Sequence, residues 1–136
     1  MNKLILGIVL DKIKSGIIAH AGKNNISKNG LYLKIYPNDE EFEPAFEICD
    51  HVETITEITF QQFTGISNFL GFDVSGEGEK WIKRFMVMCA SDNNIDAYDN
   101  HFYFIRINKN DQLQAYMYLD NKPFKEIDLN YILKTK

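Results

Sequence analysis

The stretch His101-Phe102-Tyr103-Phe104-Ile105-Arg106-Ile107-Asn108-Lys109-Asn110-Asp111-Gln112-Leu113-Gln114-Ala115-Tyr116-Met117-Tyr118-Leu119 decides the fold class of this chain. Aromatic and β-branched residues crowd its first arm, aromatic and aliphatic residues its second, and Asn108-Lys109-Asn110-Asp111 between them has turn composition. The pattern predicts a β-hairpin. Downstream, Asp120-Asn121-Lys122-Pro123 makes a second turn, Phe124 to Ile127 adds a short strand, and Leu129 to Lys134 reads as a short helix.

Working back towards the N-terminus, Lys80 to Cys89 fits either a helix burying a broad face or a strand buried on both sides. The patch Gly71 to Gly78 is a candidate hinge. Thr59-Phe60-Gln61-Gln62 has the capping-box pattern of a helix start, and Phe63, Ile66, Phe69 and Leu70 follow at helical spacing up to Gly71, the expected C-cap. Phe46, Ile48 and Val52 after Pro44, and the β-branched Thr54 to Thr59, predict two more strands. Leu31 to Tyr36 alternates as a half-buried strand between the Asn29-Gly30 turn and Pro37, where a loop begins. Residues 2 to 14 allow an amphipathic helix or a buried strand, with the helix preferred. Strands and helices do not alternate as βαβ units do. The expected fold is α+β, with a mainly antiparallel sheet and helices packed on one face.

The length of 136 residues fits one domain over 1–136, and 45% hydrophobic and 13% aromatic residues supply a core without cross-links. No internal repeat is visible in the residues. Cys49 and Cys89 fit reduced thiols, and Asp11, Lys12 and Lys14 interrupt the only stretch resembling a signal peptide, Leu4 to Leu10. No apolar run reaches the roughly 20 residues of a membrane span. The expectation is a cytoplasmic protein.

Candidate chemistry is sparse. His20, His51 and His101 lack the spacing of a zinc site and read as ordinary, partly exposed histidines. Cys49 and His51 would share a strand face without a third residue to orient the base. Asp92-Asn93-Asn94-Ile95-Asp96 matches the first oxygen ligands of a calcium loop, but Ala97 replaces the turn glycine and Tyr103 the bidentate glutamate. In Gly76-Glu77-Gly78 the carboxylates would repel a phosphate, so it reads as a flexible connection. The residues select no catalytic group, metal site or cofactor, and the expectation is a protein that is not an enzyme.

Charge is more informative. Between Lys34 and Lys80 there is no Lys or Arg, and eleven acids: Asp39, Glu40, Glu41, Glu43, Glu47, Asp50, Glu53, Glu57, Asp73, Glu77 and Glu79. Residues 1–34 carry +5 and residues 80–136 carry +2, so the net charge of −4 hides a strong asymmetry. Segregated negative charge repels nucleic acid and anionic membrane and steers a basic protein partner.

A short, acidic, Asn- and Lys-containing α+β chain without a catalytic motif resembles the immunity proteins of bacterial polymorphic-toxin and contact-dependent growth-inhibition systems. The likeness rests on the acidic segment 39–57. It implies a stoichiometric inhibitor of a cognate toxin domain, such as a nuclease. On that reading Asp39, Glu40, Glu41, Glu43, Glu47, Asp50, Glu53 and Glu57 form a partner-binding surface with Phe42 as an exposed aromatic anchor. Two alternatives come from other classes: a ligand-binding domain or enzyme with a pocket lined by Tyr and Phe between sheet and helix, and an oligomerisation module using the Phe102 to Ile107 strand as a sheet edge.

Overall fold

The computed structural model describes residues 3–50, 54–65, 68–69, 72–96, 99–127 and 129. The chain runs α1 (Lys3–Lys23), β1 (Tyr32–Pro37), β2 (Pro44–Cys49), β3 (Thr54–Ile58), α2 (Phe60–Thr64), β4 (Asn68–Phe69), β5 (Phe72–Asp73), α3 (Val74–Asp92), β6 (His101–Ile107), β7 (Leu113–Leu119) and β8 (Lys122–Ile127). Six strands form one antiparallel sheet in the order β3-β2-β1-β6-β7-β8, and β4 and β5 make a separate small hairpin. The α+β class with its antiparallel sheet is as the sequence predicts. Among the described residues no helix is long and apolar enough to cross a membrane.

Strand alternation sorts the sheet into two faces, because successive side chains point opposite ways and directly paired residues share a side. Leu33 and Ile35, Phe46 and Ile48, Tyr103, Ile105 and Ile107, Ala115 and Met117, and Ile127 are all buried on one side. There they join Val9, Ile13, Ile17 and Ala21 of α1, Phe60 and Phe63 of α2, and Trp81, Ile82, Phe85 and Met86 of α3 in a single apolar cluster.

Local chemistry explains the helix ends. The Thr59 hydroxyl accepts from the Gln62 N–H at 3.1 Å and the Gln62 side chain accepts from the Thr59 N–H at 3.1 Å, completing the predicted capping box. The helix it starts is shorter than the spacing suggests. Gly65 takes φ 72° and closes it with an N–H to the Gln61 carbonyl, and Asn68–Phe69 is already strand, so apolar recurrence through Phe69 was not helical; Ile66, Leu70 and Gly71 lie outside the described residues. The ambiguous Lys80–Cys89 is the core of α3, and Lys3–Lys14 belongs to α1. Two expectations need correction. Gly76-Glu77-Gly78 is no flexible connection but the first turns of α3, held by Asp73, whose carboxylate accepts from the Gly76 N–H at 2.9 Å. Nor is Phe102–Ile107 a sheet edge, since β6 pairs with β1 on one side and β7 on the other.

A third correction concerns repeats. A shift of 69 residues carries the buried positions Val9, Ile13, Gly16, Ile17 and Ala21 of α1 onto Gly78, Ile82, Phe85, Met86 and Ala90 of α3, which are also buried. The same shift superposes the helix exits. Asn24 and Asn93 each send a side-chain amide to the carbonyl four residues earlier at 2.8 Å, Asn25 and Asn94 sit at φ 54° and 56°, and the Ile26 and Ile95 N–H groups reach the carbonyls of Ala21 and Ala90 at 2.9 Å. The register irregularity between Ile48 and Cys49 in β2 recurs between Met117 and Tyr118 in β7, and Ile58 at the end of β3 matches Ile127 at the end of β8. The central strands correspond at a shift of 70, one residue more, and their ladder then maps onto itself: Leu33 pairs Ile105, Ile35 pairs Tyr103, and Lys34 meets Phe104 between them. The molecule is therefore two α-β-β-β units related by an approximate two-fold axis through the β1–β6 pair. Few residues are identical at equivalent positions, which is why the residues alone conceal it.

Candidate functional site

The helices cover one side of the sheet, and the other side carries the candidate site. Its middle is aromatic. Tyr32 meets Phe104 edge-on at 5.2 Å, Phe102 meets Phe104 edge-on at 5.2 Å, Phe102 stacks on Tyr118 at 5.2 Å, and Phe104 meets Tyr118 edge-on at 5.1 Å. Phe102 is buried by its neighbours, while Tyr32, Tyr36, Phe104, Tyr116 and Tyr118 stay half-exposed. The four rings Tyr32, Phe102, Phe104 and Tyr118 brace one another, so the face is preorganised and ordering it on binding costs little side-chain entropy.

Charges border the rings. The Lys34 ammonium lies 4.4 Å from the Phe102 ring centre and 5.5 Å from that of Tyr36, as a cation over π-faces. The Arg106 guanidinium lies 5.8 Å from the Tyr116 ring centre and donates from Nε and Nη2 to Gln114 Oε1 at 3.3 Å, which also accepts from the Tyr116 hydroxyl at 2.8 Å. On the β2–β3 wing, Glu47 and Glu57 are paired directly across the ladder on the open side. Like charges in that position cost roughly 0.2–1 kcal/mol. Glu47 accepts from the Thr54 hydroxyl at 2.7 Å and lies 4.0 Å from Lys34 Nζ, and one ammonium cannot cancel two carboxylates. Their combined field shows at Tyr36, whose hydroxyl is pushed up to about 12 by burial first and then by its hydrogen bond to Glu47 and the charges of Glu47 and Glu57.

The acidic segment is divided by the sheet. Glu47 and Glu57 lie on the open side. Asp39, Glu40, Glu41 and Glu43 lie in the β1–β2 loop, which approaches α3: Glu43 accepts from Lys83 Nζ at 2.6 Å, and the Asp39 carboxylate is turned inward to accept from the Glu41 and Glu43 N–H groups. Around that loop Glu79 is pushed up by burial and then by the charges of Glu43 and Asp73. Asp50 follows the far end of β2, and Glu53 lies outside the described residues. Phe42 does not stand clear as an anchor. At φ 62° it folds back, half-buried against the core, with its ring edge-on to His101 at 6.1 Å.

The remaining candidates resolve into structural roles. His101 is buried rather than partly exposed, because strand alternation places it on the core side with Tyr103; its Nδ1 lies 3.1 Å from the Asp99 carbonyl. His20 stacks on Phe63 at 5.2 Å. His51 lies outside the described residues. The Cys49 and Cys89 thiols are free and buried, and burial pushes both up, Cys89 to about 12, which disfavours the nucleophilic thiolate. Asn93 and Asn94 of the calcium-like run are used to end α3. An open depression beside β7 and β8 is lined by Asn108, Gln112, Leu113, Gln114, Glu126, Ile127 and Leu129.

Reading charge along the chain found Glu47 and Glu57 but missed the aromatic face. Its signal was present in the alternation of Phe102, Phe104, Tyr116 and Tyr118. No family model, curated protein or solved structure matches this chain.

Proposed function

We propose that the chain is a protein-binding module that holds a basic protein partner against the open face of its sheet, and that it works as a toxin-neutralising immunity protein. The observation that carries the reading is the wing where Glu47 and Glu57 oppose each other beside preorganised aromatic rings. Aromatic side chains are the usual anchors of protein interfaces, and an arginine or lysine of the partner placed between the two carboxylates would relieve their repulsion. Glu47, Glu57 and Glu126, which shares this side with its pair Tyr116, disfavour a nucleic-acid backbone.

The test is co-expression with the product of the neighbouring gene, read as rescue of growth and as co-purification. Glu47→Lys with Glu57→Lys should slow association at low salt by about ten-fold or more, and Phe104→Ala should speed dissociation. Reversal of Asp39, Glu40, Glu41 and Glu43 in the loop should matter less. Association that responds to the loop reversal and ignores the double lysine variant would reject the open face as the site.

A further inference from the structure

We infer that the outer edge of β3 is a strand-docking site, where an extended cationic segment of the partner adds to the sheet beside β3. The inference rests on the reading above and names its binding mode. The approximate two-fold axis makes the two sheet edges, β3 and β8, equivalent in backbone, so their sequences can be compared position by position. The β8 edge is guarded. It carries Lys122, Pro123 and Lys125, all exposed, which are the residues that discourage another strand from pairing. The corresponding positions of β3 hold Thr54 at Pro123 and Thr56 at Lys125, and neither threonine guards the edge; the counterpart of Lys122 is Glu53, outside the described residues. Thr54, Thr56 and Glu57 are exposed, and among the described residues β3 pairs with β2 alone.

The chemistry of the wing selects the occupant. A residue paired with Glu57 on an added strand points to the open side, beside Glu57 and one strand away from Glu47. Lysine or arginine fits there. Main-chain hydrogen bonds would supply affinity and the alternate cations specificity. A second copy of this chain fits poorly, because two-fold pairing of β3 with itself would gather two Glu47–Glu57 pairs on one surface.

Amide hydrogen exchange of the intact chain tests this with a peptide of alternating Lys and Val, against a control in which every Val is Pro. The control keeps the charge and cannot form a strand. The Lys-Val peptide should slow exchange across Thr54–Ile58 by about ten-fold and leave Lys122–Ile127 unchanged, and the Lys-Pro peptide should do neither. Thr56→Lys, which copies Lys125, should remove the protection; Thr54→Pro, which copies Pro123, is a second variant with the same expectation. Equal protection by the Lys-Pro peptide, equal protection of both edges, or self-protection of Thr54–Ile58 that grows with protein concentration would overturn the inference. A cognate partner that binds Thr56→Lys normally but is lost on Glu47→Lys with Glu57→Lys would also overturn it while leaving the proposed function intact. Protection by the Lys-Val peptide together with no binding of the neighbouring gene product would reverse that outcome.

Discussion

Gly78 stands where the two halves of the molecule touch. A Cβ there would lie 2.5 Å from Phe60 Cε2 and 3.2 Å from Cγ1 of Val9, its own counterpart in α1. Overpacking of this kind costs roughly 1–3 kcal/mol. Gly78→Ala should therefore lower the urea midpoint, whereas Gly7→Ala, where a Cβ meets nothing within 4 Å on an exposed helical position, should raise stability by about 0.5–1 kcal/mol. Similar effects at both sites would contradict the packing. Tyr36 supports a second prediction at this scale. Its folded hydroxyl is pushed from 10.0 to about 12, so the unfolded chain releases that proton first and stability falls as pH rises from 10 towards 12. Tyr36→Phe removes this contribution, and the gap between variant and wild type in denaturant midpoint should narrow or reverse across that window. A constant gap would show that neither burial nor the neighbouring carboxylates hold the folded hydroxyl above its ordinary range.

At the scale of elements, α2 is five residues long, far below the length at which a helix is stable alone. It persists because Phe60 and Phe63 are buried and both ends are closed, by the Thr59–Gln62 box and by Gly65 in the left-handed conformation. Thr59→Ala should cost about 1 kcal/mol, measured by thermal or denaturant unfolding. A neutral substitution would mean that burial alone holds the turn. The equivalent edge strands β3 and β8 differ most in residue type on their exposed positions, where core packing imposes no choice.

For the whole molecule, the decisive feature is one core shared by two similar units. α1 and α3 cross at Val9 and Gly78, and β1 and β6 join the two three-stranded halves of the sheet. Neither half buries its apolar side without the other. Unfolding should consequently be a single transition, with Trp81 fluorescence, a probe in the second half, coinciding with far-UV circular dichroism. Two resolved transitions would show that the halves are separate folding units.

The sequence by itself determined the six strands of the main sheet, the β6–β7 hairpin, the capping box at Thr59 and the α+β class, because alternation, turn residues and cap spacing act over a few residues. Only the tertiary structure decided that Gly76 and Gly78 are helical, that β6 lies inside the sheet, that the acidic residues divide between a loop and the open face, and that the chain is built as two similar units. These depend on which strand lies beside which. Pairing between Leu33 and Ile105 is made by contacts distant along the chain, and a two-fold arrangement is carried by burial pattern and backbone conformation even where the residues at equivalent positions differ.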